Sequence, residues 1–114
     1  MLHTSLEHII SKVDFGKIIS ENENVMVCCG RMGPMCIPVY AAMTELKEEY
    51  KNVRFADFEF DNPEAAVIRD APEAIGFMGL PFTFYYKNGK AVAATSSIQS
   101  KDQIAAILDK HFTA

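Results

Sequence analysis

Three cysteines, Cys28, Cys29 and Cys36, fall within nine positions of one another in a chain of 114 residues. A thiolate is both a nucleophile toward disulfides and a soft metal ligand, so this cluster is where chemistry is sought first. Metal binding finds no support in spacing. His3, His8 and His111 lie far from the cysteines, and no pair of Cys-x-x-Cys or Cys and His couples is present. No metal and no cofactor is expected. An odd number of cysteines without an export signal does not read as a disulfide scaffold either. Free cysteine is also among the most buried residue types, and composition alone favours that inert role.

The elements around the cluster decide what the thiols can reach. Val25-Met26-Val27-Cys28-Cys29 is a continuous apolar run, the pattern of a strand buried on both faces. Side chains alternate along a strand, so Cys28 and Cys29 are expected on opposite faces. Gly30 to Pro34 is rich in turn residues. From about Pro38 to Tyr50, Val39, Met43, Leu46 and Tyr50 recur at helical spacing among charged residues. Upstream, Ile9 and Ile10 suit a short edge strand, and Asp14 is placed to cap a helix through Ile18 and Ile19. Downstream, residues 53–60 alternate as a strand, and Asp61-Asn62-Pro63-Glu64 is a helix start leading into 65–69, with Pro72 restarting or bending the helix beyond. Residues 82–86 and 91–96 read as antiparallel strands about the turn Lys87-Asn88-Gly89-Lys90. Ser100 caps a last helix with Ile104, Ile107, Leu108 and Phe112 on one face. Alternating strands and helices followed by a hairpin give a mixed central sheet with helices on both faces, an α/β sandwich formed by a single domain over residues 1–114.

Composition narrows the partners. A net charge of −4 and a pI near 5.3 argue against nucleic acid. No apolar run approaches the ~20 residues that cross a bilayer, so no membrane role is expected. Met1-Leu2-His3-Thr4-Ser5 lacks a basic, then apolar, leader, and the chain is expected to stay in the cytoplasm.

In this order of elements the chain resembles the thioredoxin family. Gly79-Leu80-Pro81, followed by the strand 82–86 and Lys87-Asn88-Gly89, looks like that family's cis-proline loop and hairpin. Asp61-Asn62-Pro63 and Ser100-Lys101-Asp102-Gln103-Ile104 are similar to its strand end and last helix start. The likeness covers residues 15–112, and the segment 63–76 is longer than is typical. It implies a thioredoxin-like three-layer sandwich with a cis peptide before Pro81. It also exposes a departure. Where the family carries Trp-Cys-Gly-Pro-Cys, this chain reads Arg31-Met32-Gly33-Pro34-Met35-Cys36. Met32 stands for the first cysteine, and Met35 or Cys36 for the second. The chain has no Trp, and the family's buried acid falls on Met26 or Val27. A thioether cannot form a disulfide, so the ordinary two-cysteine cycle is closed.

Two readings result. In the first, thiol–disulfide chemistry persists with a displaced pair. Pro38 belongs in a helix's first turn, which puts Cys36 at the helix entrance, where partial positive charge favours a thiolate; Cys29 is its candidate partner. In the second, the cis-proline groove binds a protein or peptide without catalysis. Leu80 and Pro81 supply its edge, and Arg31, Met32, Gly33, Pro34, Met35 and Met78 line the rest, the methionines giving an adaptable apolar surface. Met26 and Met43 read as core.

Overall fold

A computed structural model describes residues 2–112; residues 1, 113 and 114 of the expected domain lie outside the described residues. Five strands form one sheet in the order β1-β3-β2-β4-β5. They are β1 (Glu7–Ile9), β2 (Asn24–Gly30), β3 (Arg54–Glu59), β4 (Phe82–Lys87) and β5 (Lys90–Ser96). β1 and β2 run parallel to β3, while β4 is antiparallel to β2 and β5. Helices α1 (Lys12–Glu21) and α3 (Ala66–Arg69) cover one face; α2 (Ile37–Glu49) and α4 (Lys101–His111) cover the other. This is the expected α/β sandwich with a mixed sheet.

Each layer follows from local chemistry. All seven residues of β2 are buried, as a central strand between two helix layers requires. The β4–β5 turn closes on Asn88 and Gly89, both with positive φ, the conformation a two-residue hairpin needs. Ser100 accepts from the Gln103 N–H while the Gln103 side chain accepts from the Ser100 N–H, a complete capping box for α4. The cap of α1 differs from the expected Asp14. Ser11 holds the extended cap conformation and its hydroxyl accepts from the Asp14 N–H at 3.1 Å, so Asp14 lies inside the first turn. Ile10 falls beyond the edge strand and is exposed. The helix expected over 65–69 is a 3-10 turn at Pro63–Ala65 running into α3, and Pro72 opens a second 3-10 turn.

The sheet separates two apolar cores. Met26 and Cys28 join Val39, Tyr40, Met43, Leu46, Ile104, Leu108 and Phe112 on the α2/α4 side. Val25, Val27 and Cys29 join Phe15, Phe58, Ile68, Phe82 and Phe84 on the other. Among the described residues no helix is long and apolar enough to cross a membrane.

One buried acid breaks the apolar pattern. Asp57 lies opposite Cys28 in the β2–β3 register and its side chain is 1% exposed. Thr4 donates its hydroxyl to Oδ2, and His8 Nδ1 lies 2.6 Å from Oδ1. Burial outweighs these two hydrogen bonds and holds the carboxyl above the usual carboxylate range. The folded protein therefore takes up this proton at a higher pH than the unfolded chain, whose aspartates titrate near ~3.9. Between those two values Asp57 makes stability increase as pH falls. Asp57→Asn should remove that contribution, so that stability measured by urea denaturation falls more steeply, or rises less, as pH is lowered through that range.

Candidate functional site

The candidate site gathers where β2 ends, at Gly30. A Cβ on Gly30 would stand 2.8 Å from Tyr40 Oη, 2.9 Å from Cys36 Sγ and 3.1 Å from Pro81 Cβ. No residue but glycine lets these three groups converge. The Leu80–Pro81 peptide is cis, and the loop before β4 is tied to the end of β5 by the Ser97 N–H, which donates to the carbonyls of Gly79 and Pro81.

Arg31 comes directly after. Its N–H donates to Cys36 Sγ at 3.5 Å, and its carbonyl accepts from the Tyr40 hydroxyl at 3.1 Å. Its guanidinium forms a two-pronged pair with Asp61, both contacts 2.8 Å, and lies over the Phe60 ring. The pair holds the Asp61 carboxyl below the usual range, but both side chains are solvent-exposed, so its contribution is to position and not to stability. Arg69 approaches Phe60 as well and donates to the carbonyls of Phe60 and Asn62.

The turn 33–37 closes when Gly33 C=O accepts from the N–H groups of both Cys36 and Ile37. Regular helix begins at Ile37, with Pro38 in the first turn and Cys36 as cap, one residue before the expected start. Cys36 is thus at the entrance of α2, yet its backbone is already helical and its side chain turns inward, leaving it 2% exposed. The sequence placed the residue at the helix entrance as expected, but the inward turn corrects the expectation of a solvent-facing, reactive thiol there.

All three cysteines are free and buried. Cys28 contacts Thr83 Oγ1 at 3.9 Å, and burial raises its thiol well above the ordinary value. Cys29 is pushed up to about 12 by burial, partly opposed by Arg69. Cys29 and Cys36 belong to different cores: Cys29 packs with the α1/α3 side and Cys36 with the α2/α4 side. The alternation that separates Cys28 from Cys29 also turns Cys29 away from Cys36. The sulfurs that do face solvent are thioethers, with Met32 39%, Met35 42% and Met78 95% exposed. Met26 and Met43 are fully buried core.

Residues 2–6 complete the surround, a contribution with no signature in the sequence. Leu2 and Leu6 bury into the α2/α4 core, the His3 N–H lies 3.4 Å from Met32 Sδ, and Lys47 donates to the Ser5 carbonyl. His3 and Met32 share a shallow cavity of about 200 Å³ with Ile37, Tyr40 and Thr44. Sequence reasoning missed Asp57 and Tyr40 too. An acid at an inward position of β3, on the face of Phe55, was the signal for Asp57. No group of three or more His, Cys, Asp or Glu among the described residues is placed to hold a metal ion.

A three-layer sandwich with a cis-proline loop packed beside a helix entrance defines a class of architecture. Solved structures place the chain within it: the protein has the thioredoxin fold. Thioredoxin f2 of Chlamydomonas reinhardtii superposes with a TM-score of 0.77 at 18% identity, over 95% of this chain and 97% of that one. The oxidised thioredoxin of Plasmodium falciparum gives 0.76 at 21% identity, over 96% and 100%. A point-mutant thioredoxin from Halobacterium salinarum gives 0.79 at 14%, over 100% and 98%. No family model and no curated protein sequence matches the chain.

Two outcomes are expected of this geometry. In the folded protein at neutral pH, iodoacetamide should modify Cys28, Cys29 and Cys36 far more slowly than in urea, with peptide mass mapping as the readout. Gly30→Ala should cost about 1–3 kcal/mol in urea denaturation, because the methyl meets a rigid proline as well as two side chains.

Proposed function

We propose that this chain is a thioredoxin-like protein whose working face binds an extended protein or peptide segment, with thiol chemistry subordinate. One observation carries the reading: around Arg31, Gly33, Pro34, Leu80 and Pro81 the solvent-facing sulfurs are the thioethers of Met32 and Met35, while every thiol is buried. Thioether side chains are flexible and polarizable, and they adapt to varied apolar side chains. The cis-proline segment precedes β4 and offers an edge to which an extended chain can add. The partner is a protein or peptide, not nucleic acid or a membrane. Three free thiols suit a reducing compartment such as the cytoplasm.

A second reading, thiol–disulfide exchange, is favoured by the place of Cys36: it caps α2 on this same face, directly beneath the Arg31 N–H. Exchange there needs the 31–35 segment to lift.

The two readings separate in one pair of assays. A fluorescein-labelled, S-carboxymethylated insulin B chain, which has no free thiol, should bind saturably by polarisation, and Met35→Glu should weaken it without unfolding the protein. Reduction of intact insulin with dithiothreitol should run far below the rate of a two-cysteine thioredoxin. Absent binding together with thioredoxin-like turnover would reverse the assignment.

A further inference from the structure

The three thiols are not equivalent in what they can bond to. Cys36 Sγ lies 2.9 Å from the point where a Gly30 Cβ would stand. Gly30 and Cys28 project from the same face of β2, two residues apart, which is roughly 6.6 Å along the strand. Cys28 and Cys36 accordingly share the α2/α4 core with Tyr40 and Met26. Cys29 projects from the opposite face, among Phe58, Phe82 and Phe84, so that a bond from it to Cys36 would have to pass around the β2 backbone. Neighbouring Cys28 and Cys29 are a poor pair for the same reason.

We propose that the disulfide this chain can form joins Cys28 to Cys36, fastening the entrance of α2 to the central strand. The geometric demand is a slide of the α2 entrance toward Cys28. That entrance is the end of the helix reached through the 31–35 turn, where Gly33 has open space around it. With oxidised glutathione as oxidant the step balances. The Cys36 thiolate attacks one glutathione sulfur, forming a mixed disulfide and expelling a glutathione thiolate. The Cys28 thiolate then attacks Cys36 Sγ, forming the protein disulfide and expelling the second glutathione. Two protein thiols lose their protons to solvent and are oxidised, and one disulfide is reduced to two glutathione molecules.

The step should be slow. Both sulfurs are buried, burial raises the Cys28 thiol, and the Asp57 carboxylate beside it in the register opposes its ionisation. Formation therefore should accelerate with rising pH. The pairing stands independently of peptide binding, since it is read as a covalent bond.

The test incubates the protein with oxidised glutathione, blocks remaining thiols and digests with trypsin without reductant. Cleavage after Arg31 puts Cys28 and Cys29 in one peptide and Cys36 in the next, so any bond across them joins two fragments. Fragment ions from cleavage between Cys28 and Cys29 locate the bond in the native sequence, with no variant needed. Expected is a joined pair linked through Cys28, retained in Cys29→Ser and lost in Cys28→Ser and Cys36→Ser, each checked for folding by circular dichroism. A bond located at Cys29, a joined pair persisting in Cys28→Ser, or no joined pair in the native sequence after prolonged oxidation would each overturn the proposal.

Discussion

The candidate site rests on an absent side chain. At Gly30 the end of β2 comes close enough to Tyr40, Cys36 and Pro81 that a single methyl group would collide with the first two and press on the third. That close approach seats Arg31 so that its N–H reaches Cys36 Sγ and its carbonyl receives the Tyr40 hydroxyl. The turn 33–37, the start of α2 and the cis-proline segment are then fixed relative to one another. Interiors are closely packed, so a change at Gly30 is felt by all three of these elements.

The second organising fact is the partition imposed by the sheet. A strand covered on both sides sends alternate residues into separate cores, and the adjacent Cys28 and Cys29 are divided by it. Burial then disfavours their thiolates, leaving Met32 and Met35 to meet the solvent. The chemistry offered at the surface is therefore soft apolar contact. On the proposed function, an extended chain meets these thioethers while the thiols stay buried beneath them.

The edge of the sheet is joined to this face through residues 2–8. Leu2 and Leu6 anchor the segment, Thr4 and His8 bind the buried Asp57, and the His3 amide touches Met32. A polar group buried at Asp57 is tolerable because both carboxylate oxygens find partners.

Periodicity and capping are local, and wherever they governed an element the sequence alone determined it. The buried run of β2, the Asn88-Gly89 hairpin, the Ser100 cap and the start of α2 within one residue were all legible, and so was the sandwich they build. Local competition between two plausible caps misassigned Asp14, since Ser11 and Asp14 differ only in which adopts the extended conformation. The resemblance likewise named the residues of the face without fixing their directions. Whether Cys36 points outward or inward depends on the end of β2, where Gly30 leaves room for its sulfur and the Arg31 N–H reaches it. Its relation to Cys28 and Cys29 depends on which core each enters, and the partners of Asp57 stand about 50 positions away along the chain. Such contacts leave no periodic trace, because they arise only when distant segments are brought together by the burial of the whole sheet.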